Sequence, residues 1–156
     1  MTTTAKDTIM TDILHSITIE APPEKIFEAL TTQEGLQGWW TVDTEAEPEV
    51  GSQAVFGFFS RSTVFRMRID ELTPPKRVKW TCEGEIDEWI DTELQFDLNL
   101  QEEGGTLVCF RHGGWRTTDG IYAQCNTTWG TLMFRLKAYV EGKNPGPLFT
   151  IEGWTA

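Results

Sequence analysis

The chain of 156 residues carries 24 Asp and Glu against 13 Lys and Arg, a formal net charge of −11 at pH 7. That balance excludes a nucleic-acid binder, which needs clustered cations against phosphate, and it opposes docking on an anionic membrane surface. The length suits one domain with a sizeable core, and seven Trp and nine Phe give that core many large aromatics.

The three cysteines, Cys82, Cys109 and Cys125, form no close pair and match neither a disulfide framework nor a zinc spacing. They read as reduced thiols in a reducing compartment. No run approaches the roughly 20 apolar residues of a membrane span, and the N-terminus has no apolar run long enough for a signal peptide. The expectation is a cytoplasmic protein with no membrane insertion, no metal and no cofactor.

Residues 1–12 are polar and Thr-rich and are expected to be flexible. Ile13 to Glu20 alternates, with Ile13, His15, Ile17 and Ile19 on one face, as a half-buried strand requires. Ala21-Pro22-Pro23-Glu24 starts a helix, since proline at the first turn has no N–H to waste and Glu24 suits the helix dipole. Ile26, Phe27 and Leu30 form its inward stripe. A second short helix, from Gln33 to Gly38, ends at Trp39-Trp40. Val42 to Glu47 reads as a short acidic strand.

An antiparallel meander follows. Gln53 to Phe59 turns Ala54, Phe56 and Phe58 to one face; Thr63 to Leu72 turns Phe65, Met67 and Ile69 inward. Thr73-Pro74-Pro75 reverses the chain. Lys76 to Cys82 presents Val78, Trp80 and Cys82; an acidic connection, Glu83 to Ile90, holds Trp89. Asp91 to Leu100 alternates Thr92, Leu94, Phe96, Leu98 and Leu100 against polar residues. After the Glu103-Gly104-Gly105 turn, Thr106 to His112 is the last strand, with Val108, Phe110 and His112 inward. The expected register sets Leu98 against Phe110, Asp97 against Arg111 and Asp70 against Arg77, because a one-residue slip would expose the apolar face.

Gly113 to Thr117 reads as a loop carrying Trp115. A long helix then spans Thr118 to Gly142, with Thr118 or Asp119 as its N-cap and Gly142 and Pro145 as its stop. Its apolar stripe is Ile121, Tyr122, Cys125, Trp129, Leu132, Met133, Leu136, Tyr139 and Val140. Residues 143–156 form an apolar tail, with Leu148, Phe149, Ile151 and Trp154, that is expected to dock. The order gives a single α+β domain over residues 13–142: a strand, two short helices, a curved antiparallel sheet of six to seven strands, and the long helix it wraps.

The inward residues are rich in aromatics and methionine, and a sheet gripping a helix leaves space where facing side chains do not interdigitate. Apolar walls with few polar groups are what small-molecule pockets present, and methionine adapts to irregular shapes. An aromatic stripe facing a helix serves equally well as solid core. The candidate ligand-binding set is Trp39, Phe56, Phe58, Phe65, Met67, Trp80, Phe96, Phe110, His112, Trp115, Cys125, Trp129 and Met133. Trp39, Trp40 and Trp115 are expected either to close a cavity mouth or to cover the sheet edge.

Four segments carry a family resemblance: APPEKIFEALTTQEGLQGWW at 21–40, ELTPPKRVKW at 71–80, GGTLVCFRHGGW at 104–115 and WGTLMFRLKAYVEG at 129–142. In this order they resemble the helix-grip superfamily of START lipid-transfer domains and the birch-pollen allergen, SRPBCC. Within it they are most similar to the family of the activator of the heat-shock protein 90 ATPase homologue. The resemblance implies a helix-grip fold with a cavity between sheet and long helix. At one domain's length the chain lacks the separate N-terminal domain of the eukaryotic co-chaperone, which weighs against a chaperone role.

The chemistry on offer is sparse. His112 has inward parity and a neutral-range side chain, so it is a candidate general base or orienter of a polar head, with Tyr122 beside it as a second catalytic candidate. A histidine satisfied at the core edge explains the same pattern. His15 is inward near the chain start, and Cys125 lacks a neighbouring cation to activate its thiol. No nucleophile elbow, phosphate loop or dinucleotide fingerprint occurs. Three readings follow: binding of a hydrophobic small molecule or lipid; a cyclase- or hydratase-like enzyme using the same cavity; and a co-chaperone-like module whose acidic surface meets a protein partner. Whether the chain is an enzyme stays open, as does the choice between monomer and homodimer.

Overall fold

The computed structural model describes residues 10–153. Ten elements follow in chain order: β1 (Thr11–Ile19), α1 (Pro23–Thr31), α2 (Gln33–Trp39), β2 (Asp43–Glu45), β3 (Gln53–Phe58), β4 (Thr63–Thr73), β5 (Arg77–Glu83), β6 (Glu93–Leu100), β7 (Thr106–Trp115) and α3 (Tyr122–Val140). The strands form one 7-stranded sheet in the order β1-β7-β6-β5-β4-β3-β2, antiparallel at every pairing. This is the α+β helix-grip architecture that the sequence predicts. Residues 1–9, which carry most of the expected flexible segment, and Trp154 lie outside the described residues.

Helix α1 opens on Pro23, and Thr32 separates it from α2 while accepting a hydrogen bond from the Gly35 N–H at 3.0 Å. Helix α3 ends as Gly142 and Pro145 predict. Gly142 takes a left-handed φ of +86°, and the Gly142 and Lys143 amides donate back to the carbonyls of Tyr139 and Ala138 at 3.1 and 2.9 Å. Its start differs from expectation. The helix begins at Tyr122, with no side-chain cap from its own N-cap residue, Ile121. Instead the Glu88 carboxylate, from the β5–β6 loop, accepts the Ile121 N–H at 3.0 Å. A carboxylate at this end also meets the positive end of the helix dipole.

The inward face of the sheet keeps the predicted parity, but the register differs. Phe96 pairs with Phe110, Leu98 with Val108, and Asp97 with Cys109. This is a two-residue shift from the expected Leu98–Phe110 pairing. Such a shift returns every side chain to the same face, so burial alone does not oppose it. The position of the reversal decides it: it is centred on Glu103, one residue earlier than the expected register needs, with Gln101 N–H donating to Gly105 O at 3.0 Å and Leu100 paired with Thr106. Asp97 therefore accepts from Arg77 on its other side, at 2.7 Å, and not from Arg111. Asp70 does not face Arg77 either. It sits at a bulge between Ile69 and Glu71 and accepts from Arg68 at 2.8 Å and from the Thr81 hydroxyl. Leu100, expected inward, is 66% exposed at the end of β6.

The last strand is longer than predicted because of a second bulge. On β1, Ile13 pairs with His112 but Thr11 pairs with Trp115, so β7 carries one extra residue there. Gly114 supplies it, at φ +89°, and its N–H donates to Asp12 Oδ1 at 3.1 Å. Simple alternation would send Trp115 outward from His112. The bulge reverses the parity, and Trp115 is fully buried in the strand, not carried on a loop.

Candidate functional site

The cavity lies at the hairpin end of β3 and β4. Helix α3 packs along β1, α1 and α2. Its C-terminal half buries Met133, Leu136 and Val140 there. Its N-terminal half stands clear of the β3–β4 end, and a space of about 450 Å³ remains. The β5–β6 loop covers one side of this space and the C-terminal tail another. Trp40, Phe58, Phe59, Phe65, Trp89, Trp129 and Phe149 are its aromatic walls, and Gln124, Cys125, Thr128 and Leu132 come from successive turns of α3.

Each wall is held by identifiable contacts. Trp40 is 2% exposed and stacks on Phe56 at 4.2 Å between ring centres, with Trp129 at 5.1 Å. Trp89 is brought back over the sheet by a loop closed on itself. The Trp89 N–H donates to Ile86 O and the Thr92 N–H to Trp89 O, both at 2.9 Å. Arg116 clasps that loop through the carbonyls of Asp87 and Ile90 at 2.7 and 2.8 Å. The Trp89 ring then stacks on Phe65 at 3.9 Å, with the planes 24° apart. The hairpin tip runs through three left-handed residues, Phe59, Ser60 and Arg61. Arg61 anchors the tip to Asp43 and Glu45, and Ser60 N–H donates to Ile151 O of the tail at 2.8 Å.

The tail is held as firmly. Arg135 on α3 donates to the carbonyls of Pro145 and Gly146, each at 2.9 Å. Leu148 and Phe149 amides donate to Trp39 O and Trp40 O at 3.2 and 2.9 Å. Phe149 thereby reaches the cavity and meets Phe58 edge-on at 4.8 Å.

Of the thirteen sequence-selected candidates, Phe58, Phe65, Cys125 and Trp129 line the cavity. Phe56, Met67, Trp80, Phe96, Phe110 and Met133 are packed in the core beyond it. Trp39 is also core: it is fully buried and its indole N–H donates to Ala29 O at 2.9 Å. Trp115 packs against His112 and Tyr122 away from the lining. Trp40, expected either at a cavity mouth or over the sheet edge, is on the lining, and the residues missed by sequence reasoning are chiefly Trp89, Ile121 and Phe149. Trp89 and Phe149 carried one usable signal, since a large aromatic in an otherwise polar connection or tail must find cover.

His112 is enclosed. Trp129 Nε1–H donates to its Nδ1 at 3.1 Å, which makes Nε2 the protonated nitrogen. Nε2 pairs with Thr92 Oγ1 at 2.9 Å, and the Thr92 hydroxyl donates to Trp89 O at 2.6 Å. Every polar atom of this chain is used. Burial pushes the His112 pKa down to about 3, and the charge of Arg111 acts the same way, so the ring is neutral. The Tyr122 hydroxyl donates to Asp12 O at 3.0 Å. His15 Nε2 pairs with Asn126 O at 3.2 Å. Burial raises the Cys125 thiol to about 11 and the Cys82 thiol to about 12, so both are protonated and unreactive. Among the described residues no cluster of ligating side chains could hold a metal ion.

The activator of Hsp90 ATPase homolog 1-like family matches residues 20–141. The chain belongs to that family. A dimeric Aha1 from Colwellia psychrerythraea, solved in solution, is 38% identical, with a TM-score of 0.78 over 85% of this chain and 97% of that one. A crystal structure from Mesorhizobium loti gives 0.74 at 18% identity, over 84% and 97% of the two chains. A solved structure from Enterococcus faecalis gives 0.72 at 22%, over 88% and 75%. These two share the fold. No curated protein matches the chain. Family membership agrees with the resemblance of the four sequence segments, and no described helix is long and apolar enough to cross a membrane.

Proposed function

We propose that this family member binds a hydrophobic small molecule or lipid in the space between the β3–β4 hairpin and the N-terminal half of α3. The supporting observation is the cavity itself, about 450 Å³ with seven Trp and Phe residues on its lining, inside the size range of small-molecule sites. Covering apolar ligand surface at roughly 25 cal/mol per Å² supplies the affinity. The placement of the titratable groups favours binding over catalysis, because His112 and Tyr122 are engaged off the lining. Native mass spectrometry of the purified protein, followed by solvent extraction, tests the reading. A retained apolar molecule is the expected result. An empty protein that also fails to bind apolar dyes overturns it.

A homodimer is the second part of the proposal. It is supported by the dimeric Colwellia relative and by large apolar side chains left on the surface, of which Leu14, Leu100 and Phe134 are the most exposed among the described residues. Light scattering on the purified chain reads the mass directly, and a monomer at micromolar concentration removes the idea. The three free cysteines support a reducing compartment such as the cytoplasm.

A further inference from the structure

The C-terminal tail bridges two walls of the cavity and joins the rest of the chain through a hinge. It leaves α3 through three left-handed residues, Gly142 at φ +86°, Asn144 at +50° and Gly146 at +76°, interspersed with Pro145 and Pro147. No helix or strand forms over residues 143–147. Irregular, glycine-containing segments of this kind absorb large backbone rotations.

Beyond the hinge the tail docks as a short extra strand. Phe149 pairs in parallel with Thr41, and the Val42 N–H donates to Phe149 O at 3.1 Å. With Leu148 and Phe149 bonded to the carbonyls of Trp39 and Trp40, and Ile151 O held by Ser60, the tail runs from the end of α2 to the tip of the β3–β4 hairpin. Strand addition of this kind is held by main-chain hydrogen bonds, each worth little net. Phe149 is the tail's contribution to the lining, edge-on to Phe58 at 4.8 Å and to Phe59 at 6.2 Å. Arg135 clamps the start of the tail from outside the lining, through the carbonyls of Pro145, Gly146 and Pro147. The family match ends at residue 141, and the seven-stranded sheet excludes the tail, so neither depends on it.

We infer that residues 143–153 are a hinged strap, seated here across the cavity with Phe149 against the hairpin tip, which swings out on Gly142 to Gly146 to let ligand in and out. The inference rests on the ligand-binding reading above and adds the route by which the cavity opens. The other roof, the β5–β6 loop, is the worse candidate for motion. Glu88 caps α3 and Arg116 holds two of the loop's carbonyls, so lifting it would uncap the helix.

Hydrogen exchange on the native chain tests the hinge without any ligand. The Leu148 and Phe149 amides should exchange about a hundredfold or more faster than those of Phe96 and Phe110, as local opening requires. Protection equal to that of Phe96 and Phe110 overturns the strap and leaves the cavity reading standing. Stopped-flow fluorescence with phenylnaphthylamine, an uncharged dye, tests the gate. In the native chain the observed rate should level off as dye concentration rises, because opening precedes entry. Arg135→Met releases the start of the strap without altering the lining. It should raise that limiting rate about three- to tenfold, the span of one hydrogen bond. Phe149→Ala should raise the association and dissociation rates together, whereas loss of a fixed wall would speed dissociation alone. A rate linear in dye, a rate unmoved by Arg135→Met, or faster dissociation alone in Phe149→Ala overturns the strap. Should either variant fold poorly, the exchange measurement decides by itself. No dye bound by the native chain or the variants overturns both readings.

Discussion

The two ends of α3 face the same kind of side chain and end up in opposite states. Across β5, β6 and β7 the rings of Trp80, Phe96 and Phe110 interlock with one another and with Trp129, at centre separations of 5.8, 5.1 and 4.5 Å. At the β3–β4 hairpin, Phe58, Phe65 and Trp89 line a hollow. Composition does not separate these regions. The difference comes from where the helix runs. It packs against β1, α1 and α2, so the strands beside it fill their space and the far strands are roofed by a loop and a tail. Aromatic richness alone therefore does not distinguish a core from a pocket.

The sharpest way to break this comparison is to remove a ring from the filled end. Phe96→Ala is expected to cost about 3–5 kcal/mol of stability, the range for a buried phenyl, and to leave ligand affinity unchanged in whatever fraction stays folded. Denaturant unfolding and calorimetric titration on the same variant measure both. A large loss of affinity with little loss of stability would place the binding site at the wrong end.

The His112 chain offers a second test of the filled end through pH. Its folded pKa of about 3 lies below the ordinary value of 6.5. Below pH 6.5 the unfolded chain therefore takes up a proton that the folded chain refuses. The contribution is complete above that pH and is lost as pH falls towards about 3, with a slope of at most about 1.4 kcal/mol per unit. His112→Gln should be less stable than the native chain at neutral pH, with the gap narrowing between about pH 6.5 and 5. A gap that stays constant over that range would mean that His112 titrates normally, and so is open to water.

At the hollow end the order of effects reverses. Phe65→Ala should cost only about 1–2 kcal/mol of stability, as its ring is already partly exposed. It should weaken ligand binding about tenfold, if roughly 55 Å² of ligand surface loses its cover. Glu88→Gln, which removes the charge from the start of α3, is expected to cost about 0.3–1 kcal/mol, and the loss should shrink in high salt. Arg77→Ala, on the solvent face of the sheet, should leave the melting temperature unchanged despite its close pair with Asp97.

The departures from the sequence pattern share a cause. Alternation fixes the face of Asp97 but not its partner, because a two-residue slip preserves that face. Alternation from His112 breaks at Gly114, and a glycine bulge leaves no periodic signal by which to bury Trp115. Thr118 and Asp119 offer a local cap for α3, while the actual partner, Glu88, lies far away in sequence. Trp89 and Phe149 sit on irregular segments, where no period indicates direction.

By itself the sequence determined the element order, the inward face of most of each strand, the stop of α3 at Gly142 and the membership of the fold superfamily. These depend on local periodicity, turn chemistry and short motifs, each contained within a few turns of chain. Tertiary structure decided the register, the reversal at Gly114, the locking of His112 and the position of the hollow. All four depend on distances between segments remote in sequence: a loop carboxylate reaching a helix start, an indole reaching an imidazole, a helix lying nearer one edge of its sheet than the other. A pattern along one strand contains no coordinate for those separations, so it could announce the aromatics without saying where they would fail to meet.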